Sequence, residues 1–157
     1  MSGEPMRRTS SGHPLRLVGS ETQVEAPGDH VRLTLTPERQ SVAIGRHWVV
    51  RIAAAAGVTG MANQVVELLT SELLSNAVLH GAGGRAIHLW FHAGANDVVR
   101  VSVSDSLPDR PVVLHPALVA PSGRGMAIVE AMSNRWGVDS QPDGGKTVWF
   151  EVDLDQY

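Results

Sequence analysis

The sequence of 157 residues contains no cysteine, which excludes disulfide bonds and thiolate metal sites. It also lacks any apolar run near the ~18 residues of a membrane-spanning helix, and its amino terminus has no hydrophobic signal-peptide segment. Basic residues are not in excess, since the formal net charge is −3, whereas nucleic-acid-binding proteins usually carry a basic face. These absences predict a cytoplasmic protein that contacts neither a membrane nor nucleic acid directly.

The length of the chain allows one domain with a sizeable core. Residues 1–29 are rich in Gly, Pro, Ser and Thr and show no sustained hydrophobic period, which is typical of disordered or loosely ordered chain. We therefore predict an N-terminal tail over residues 1–29 and a single folded domain over residues 30–157.

Hydrophobic periodicity predicts the strands and helices of this domain. Alternating patterns predict strands over residues 30–36, 85–92, 98–104, 138–139 and 146–154. Helical patterns predict a first helix that starts at Thr36 and Pro37 and stops near Gly57, a second over residues 65–81, and a third from about Met126 to Trp136. Helices between pairs of strands predict an α/β (α+β) two-layer sandwich, in which helices cover one face of a mixed, mostly antiparallel sheet.

The second predicted helix, VVELLTSELLSNAVLHG, carries polar residues where a simple amphipathic helix would have apolar ones. At about 100° per residue, Glu72, Asn76 and His80 fall inside the predicted buried arc of this helix. The apolar members of that arc include Val65, Leu68, Leu69, Leu73 and Leu79. Burying a charge or an amide costs free energy unless the group is paired or bound to something. Two explanations stay open: the polar residues bind a ligand, or they satisfy each other or a neighbouring loop.

Two glycine-containing motifs resemble nucleotide-binding loops but fail their structural requirements. GGKT, over residues 144–147, lacks the earlier glycine of a P-loop and leads into a predicted strand, whereas a P-loop leads into a helix. GRGMAI, over residues 123–128, lacks the third glycine of the dinucleotide fingerprint and follows a loop instead of a strand. HExxH and GxSxG motifs do not occur. These enzyme classes are therefore excluded.

Four motifs remain, in a fixed order: ELLSNAVLH on a helix, VSVSDS at a strand end, GRGM opening a helix, and GGKTVWFEV entering the last strand. In this combination the chain resembles the GHKL (histidine kinase-like) ATPase superfamily, which is built on the Bergerat fold. Within that superfamily it is most similar to the short, free-standing bacterial anti-sigma factor serine/threonine kinases. The resemblance covers about residues 30–154.

The resemblance implies an ATP site with Mg²⁺ and assigns roles to the matching residues. Asn76 would bind Mg²⁺ through its side-chain oxygen. Glu72, one helical turn earlier, would be the catalytic base that activates the attacking hydroxyl. Asp105 would accept a hydrogen bond from the adenine amino group, and Thr147 would lie beside it and assist adenine recognition.

The same resemblance implies that the GRGM motif binds the phosphates. Its residues are Gly123, Arg124, Gly125 and Met126. The glycines let the backbone approach the phosphates, and the helix that follows offers its N–H groups and the positive end of its dipole. Arg46, on the first helix, matches the position of an arginine near the γ-phosphate in serine kinases of this family. For His80, a place near the nucleotide and a packing role both stay open.

The strand-end motif departs from the family pattern. Where the family has Asp-x-Gly-x-Gly, this chain reads Asp105-Ser106-Leu107-Pro108-Asp109. The family's first glycine permits close approach beneath the adenine ring, which Leu107 cannot provide without a rearranged loop. The proline-rich segment 106–122 that follows is expected to cover the nucleotide.

These observations leave three functions open. The first is an ATP-binding regulatory protein that transfers the γ-phosphoryl group of ATP to a serine of a partner, while it binds a sigma factor or an anti-sigma factor antagonist protein. The alternative is a non-catalytic ATP-binding or protein-interaction module that regulates a sigma factor or its antagonist. The intact Glu72 favours the first function and the missing glycines favour the second. The third is a small α/β domain without nucleotide. A homodimer is compatible with each of them.

Overall fold

A computed structural model describes residues 15–17, 20–26, 30–79, 85–105, 124–140 and 145–157 of the chain. These residues form a sheet with helices packed on one of its faces. Within the same ranges, no helix is both long and apolar enough to span a lipid bilayer.

Seven strands within the described ranges form one sheet. They are β1 (Leu15–Leu17), β2 (Ser20–Ala26), β3 (His30–Leu35), β4 (Ile87–Ala93), β5 (Val98–Asp105), β6 (Arg135–Ser140) and β7 (Lys146–Asp153). Their spatial order is β1-β2-β3-β4-β5-β7-β6, and every neighbouring pair is antiparallel. Because β7 lies between β5 and β6, the end of β5 meets the start of β7.

The helices are α1 (Gln40–Ala55), α2 (Gly60–Leu79) and α3 (Arg124–Met132). α1 contacts β3 and β4, α2 contacts β5 and β7, and α3 packs on α2 and β6. The strand positions that face the helices are apolar, as the alternation of sequence predicts; Ile87, Leu89 and Phe91 of β4 are all buried. The predicted two-layer α/β sandwich is therefore confirmed.

The first helix ends as predicted but begins later. Gly57 follows the last helical turn with a φ of +91°, a left-handed conformation that glycine adopts without strain. At the other end, the predicted start at Thr36 and Pro37 is wrong, because α1 begins at Gln40. The Thr36 hydroxyl oxygen lies 3.1 Å from the Ser41 hydroxyl oxygen, at hydrogen-bond distance. The Thr36 side chain therefore contacts another side chain, whereas an N-cap residue would accept a hydrogen bond from a backbone N–H of the first helical turn.

The third helix is shorter than predicted and the strand after it is longer. α3 ends at Met132, so the predicted helical end at Trp136 is wrong. The strand predicted at residues 138–139 is confirmed as part of β6, which begins earlier, at Arg135, and continues to Ser140. The Ser133 hydroxyl donates to the Val129 carbonyl at 2.6 Å, and its backbone N–H donates to the same oxygen. β6 then pairs with β7 over its full length, from the level of Glu151 to Lys146.

Two strands lie in the segment predicted as a tail. β1 and β2 form an antiparallel pair, and β2 pairs in turn with β3. The prediction of disordered or loosely ordered chain is therefore wrong for residues 15–17 and 20–26; the rest of residues 1–29 lies outside the described residues. The segment SETQVEA is largely polar, so it has little hydrophobic alternation, and its pairing with the edge of β3 supplies the backbone hydrogen bonds that define the strand.

α2 starts earlier than predicted, at Gly60, and its buried face is rotated. Its buried residues are Ala62, Val65, Val66, Leu69, Thr70, Leu73, Leu74 and Ala77. Leu68 and Leu79, predicted inside the apolar arc, are 38% and 58% exposed. Because α2 contacts α1, the sheet and α3, its broad buried face includes Val66 and Leu74. Glu72 and Asn76 consequently lie half-buried at the edge of that face instead of at its centre.

Candidate functional site

The predicted site residues lie on elements that meet at one end of the sheet. α2 leads through residues 80–86 into the start of β4, and β4 lies antiparallel to β5, so its start is beside the end of β5. The end of β5 pairs with the start of β7. The C-terminal half of α2, the end of β5 and the start of β7 are therefore brought to the same end of the fold.

A buried ion pair joins the end of β5 to the start of β7. The strand register sets Asp105 opposite Lys146, and the ammonium nitrogen Nζ of Lys146 lies 3.3 and 3.2 Å from the two carboxylate oxygens of Asp105. Both side chains point towards the helical layer, because they continue the buried positions of their strands. Their side chains are only 3% and 7% exposed. Two opposite charges removed from water in this way stabilise each other, and either one alone would be strongly unfavourable.

The register corrects the expected position of Thr147. Thr147 pairs with Ser104, and the two hydroxyl oxygens are 2.7 Å apart. Successive side chains of a strand point to opposite faces of the sheet, so Thr147 faces away from the side on which Asp105 lies. Lys146, rather than Thr147, is the residue beside Asp105. A role for Thr147 in adenine recognition stays a prediction.

The second close contact joins α2 to α3. Gly125, in the first turn of α3, lies so near Glu72 that a Cβ atom on it would be 2.6 Å from the Oε1 atom of Glu72. Only glycine fits this position without displacing the carboxylate. The structure thus brings two predicted site residues together, the candidate base and a member of the predicted phosphate-binding motif.

Partial burial raises the proton affinity of the Glu72 carboxylate. Removal of the carboxylate from water disfavours its charged form and raises the pKa of Glu72 above its ordinary value of 4.5. A raised pKa makes the ionised carboxylate a stronger base, which suits a group that must accept a proton from a hydroxyl.

Asn76 lies one helical turn beyond Glu72 and is half-buried. In the part of the chain that the structure describes, no hydrogen bond joins Asn76 to Glu72. The explanation that these two residues satisfy each other is therefore not supported; the explanation that they satisfy a neighbouring loop is not tested, because residues 80–84, 106–123 and 141–144 lie outside the described residues. The Asn76 side-chain oxygen is the kind of hard ligand that Mg²⁺ takes together with phosphate oxygens. Elsewhere among the described residues, no three His, Asp or Glu side chains cluster as a metal site.

The remaining residues of the GRGM motif are only partly described. Met126 is buried in the core, so its contribution to a phosphate site would come from its backbone N–H. Arg124 is the first residue of α3. Gly123, His80 and the whole segment 106–122, with Leu107, lie outside the described residues, and their predicted roles are not tested.

Arg46 lies on α1 and faces α2. Its Nε atom is 3.7 Å from the Oε2 atom of Glu67, and both side chains are about one-third exposed, at 34% and 39%. A pair this exposed contributes little to stability, so the contact with Glu67 would not hold the Arg46 side chain in one rotamer. Its predicted place near the γ-phosphate stays a prediction.

Sequence reasoning missed Lys146 as the partner of Asp105. The sequence held a signal for this contact, because Lys146 is the only lysine in a chain that otherwise uses arginine. Lys146 and Thr147 are neighbours on one strand, so their side chains lie on opposite faces of the sheet and only one of them can lie beside Asp105. The motif GGKT was rejected as a P-loop since it enters a strand, and that strand is confirmed as β7.

The comparison with protein families gives one match. The sequence model of the histidine kinase-like ATPase domain family matches residues 26–152, which is most of the chain. No match was found among curated proteins. The family match supports ATP binding and agrees with the fold and with the placement of ELLSNAVLH on a helix and of Asp105 at a strand end.

Proposed function

The chain belongs to the histidine kinase-like ATPase domain family, and on this premise we propose that it is an ATP-dependent regulatory protein kinase. In this proposal it binds Mg·ATP at the end of the sheet where α2, α3, β5 and β7 meet, and transfers the γ-phosphoryl group to a serine of a partner protein. The partner is a sigma factor or an anti-sigma factor antagonist, as the resemblance to bacterial anti-sigma factor kinases implies.

One observation carries the proposal of catalysis. The carboxylate of Glu72 lies against the first turn of α3 at Gly125, where helix N–H groups and the positive end of the helix dipole favour negatively charged phosphates. A base at this position is next to the expected site of the transferred phosphoryl group.

The residues divide the reaction between them. The serine hydroxyl oxygen attacks the γ-phosphorus, the new O–P bond forms, and the bond between the γ-phosphorus and the bridging oxygen breaks to release ADP. Glu72 accepts the proton of the hydroxyl, and its raised pKa favours that transfer. Asn76 would hold Mg²⁺, which neutralises charge on the phosphate oxygens.

A second function is favoured by a different observation. The carboxylate that would bind adenine, Asp105, is already engaged by Lys146, and Leu107 replaces a glycine of the family motif. Both features suit a non-catalytic module that binds a nucleotide for structural reasons, or binds the partner protein alone.

The experiment has two steps. Calorimetry with Mg·ATP and Mg·ADP on the full chain measures binding, and γ-labelled ATP with co-purified partner proteins then measures transfer to serine. Glu130→Gln is the matched control for Glu72→Gln, because Glu130 is an exposed glutamate of α3. Label on serine with wild-type and Glu130→Gln protein, but not with Glu72→Gln protein, supports the kinase. Binding without any transfer supports the non-catalytic module. No heat of binding from folded protein at millimolar nucleotide rules out the kinase and the nucleotide-binding module, and leaves a module that binds the partner protein alone.

A further inference from the structure

The ion pair of Asp105 and Lys146 is buried more deeply than the other ion pairs of the described residues. Its side chains are 3% and 7% exposed, whereas those of Glu151 and Arg100, the next pair in burial, are 14% and 35% exposed. The pair also differs in position, because it lies at the strand ends on the helix-covered side of the sheet. Glu151 and Arg100 lie on the opposite side.

The pairing of β5 with β7 has other sources of stability than this ion pair. Backbone pairing between β5 and β7 extends over eight residues of each strand, from Val98 opposite Asp153 to Asp105 opposite Lys146, and the neighbouring inward residues Val103 and Val148 are apolar and buried. Replacing a buried ion pair with apolar residues of similar size is often neutral or stabilising. A charged pair at the end of an apolar strand face is therefore expected to have a binding role.

The two groups have complementary hydrogen-bonding capacity. A carboxylate only accepts hydrogen bonds and an ammonium group only donates them. Side by side, they match a flat ring edge on which an amino group adjoins an unprotonated ring nitrogen. Adenine has this arrangement at its 6-amino group and N1.

We propose that Lys146 determines the base specificity of the site, with its Nζ atom donating to N1 of adenine while Asp105 accepts from the 6-amino group. This inference rests on the proposed ATP site and adds a residue to it. The ammonium group exchanges one of its two contacts with the carboxylate for a hydrogen bond to the base, and keeps the other contact.

The same geometry rejects guanine and hypoxanthine. Both bases carry a carbonyl oxygen in place of the 6-amino group, which would face the carboxylate, and an N–H at position 1, which would face the ammonium group. One contact then places two hydrogen-bond acceptors opposite each other, and the other places two donors opposite each other. Sites built to hydrogen-bond one group discriminate strongly against analogues that lack it, so ITP and GTP are expected to bind at least about 100-fold more weakly than ATP.

The test compares ATP with analogues that each change one ring position. Calorimetry is done on the full chain with ATP, with 1-deaza-ATP, in which carbon replaces N1, and with 7-deaza-ATP, which keeps N1 and lacks the nitrogen on the other side of the amino group. Loss of a hydrogen bond to a charged group should weaken 1-deaza-ATP about 10- to 100-fold, and 7-deaza-ATP should bind like ATP.

A variant of Lys146 distinguishes a direct hydrogen bond to N1 of adenine from a role in which Lys146 only neutralises the charge of Asp105. In Lys146→Met, ATP and 1-deaza-ATP should bind with nearly the same affinity, because the donor is absent. Arg135→Met is the matched control, because the side chain of Arg135 on β6 is 69% exposed and the substitution removes the same positive charge. This variant should keep the wild-type preference for ATP over 1-deaza-ATP. The comparison of analogues on wild-type protein stands even if Lys146→Met fails to fold.

The chain offers a second readout, because its one lysine gives one ammonium resonance. With ¹⁵N-labelled lysine, ATP should shift the ¹⁵Nζ signal of Lys146, and 1-deaza-ATP should shift it much less.

The outcomes are distinct. Selective loss with 1-deaza-ATP, abolished by Lys146→Met, supports the inference. Equal binding of ATP and 1-deaza-ATP, selective loss with 7-deaza-ATP, or a preference for GTP overturns it while the nucleotide site stands. Absence of binding by every nucleotide overturns both the inference and the proposed function.

Discussion

The Oε1 atom of Glu72 lies 2.6 Å from the point where Gly125 would carry a Cβ atom. The carboxylate on α2 thus fills the space that the absence of a side chain on α3 leaves open. This contact joins the candidate base to the motif predicted to bind phosphate. The position of the Glu72 carboxylate therefore depends on residue 125 being glycine.

Gly125→Ala should therefore affect the reaction more than the fold. The added methyl group meets the flexible end of the Glu72 side chain, which can rotate away, so we expect a loss of stability below about 1 kcal/mol. Displacement of the base should reduce phosphotransfer, and adding Glu72→Gln should cause little further loss. Urea unfolding and transfer rates measured on the single and double variants check this.

Gly45→Ala is the matched comparison for that experiment. A Cβ atom there would lie 2.5 Å from the Cδ1 atom of Leu74, 3.1 Å from that of Leu35 and 3.2 Å from the Cδ2 atom of Leu89, all within the core. Overpacking of this kind typically costs about 1–3 kcal/mol, without a specific effect on nucleotide affinity. If Gly125→Ala is as destabilising as Gly45→Ala, the contact with Glu72 is rigid and the argument for a displaced base fails.

Glu72 and Asn76 should separate chemistry from binding. Glu72→Gln keeps the size of the side chain, so nucleotide should still bind, while loss of a general base should slow transfer by about 10²- to 10⁴-fold. Asn76→Ala removes the oxygen proposed for Mg²⁺ and should abolish Mg²⁺-dependent binding. Binding titrations with and without Mg²⁺, together with transfer rates, distinguish these effects. A wild-type transfer rate in Glu72→Gln would show that the catalytic assignment is wrong.

The pKa of Glu72 predicts a pH dependence with a definite sign. Because burial raises this pKa above 4.5 in the folded protein, the folded state binds the proton more tightly than the unfolded state. Stability contributed by the protonated form is therefore present below pH 4.5 and is lost as the pH rises through the higher folded-state value. Relative to Glu72→Gln, the wild-type Tm should fall across that window, and phosphotransfer should rise. Parallel pH profiles of Tm for the two proteins would contradict the assignment.

The ion pair predicts strongly non-additive stabilities. Asp105→Asn or Lys146→Met alone leaves a buried group without its charged partner and should cost about 3–5 kcal/mol. The double variant Asp105→Leu/Lys146→Met should recover most of that loss, because apolar residues then occupy an apolar strand face. Denaturant unfolding of the four proteins gives the coupling free energy. Additive losses would mean that the two side chains do not interact in solution.

Alternation within single strands was sufficient to predict much of the sheet. Ile87, Leu89 and Phe91 are buried as their spacing predicts, and Asp105 ends β5. The burial of individual residues on α2 was less predictable, because a helix that contacts α1, α3 and the sheet has no single apolar stripe. Leu68 and Leu79 are exposed for that reason, and Glu72 lies at the edge of the buried face.

Pairing between strands could not be obtained from local sequence at all. β2 is a strand because it lies along β3, and its own residues carry little hydrophobic signal. The same limit applied to the site: motif order suggested Thr147 beside Asp105, but the register of β5 and β7 sets Lys146 there. One residue of register decides which face a side chain occupies, and that information is held in the partner strand.

The pairing of β5 with β7 also has a kinetic consequence. Asp105 and Lys146 are 41 positions apart in the chain, and the segment between them contains α3 and β6. Joining distant segments loses chain entropy before native contacts compensate for it, which slows folding. The cost grows slowly with length, at about 0.6 kcal/mol for each doubling of the loop. The segment between the two strands can therefore be lengthened or shortened at little thermodynamic cost, while the end of the sheet that carries Asp105 and Lys146 is completed only when β7 docks.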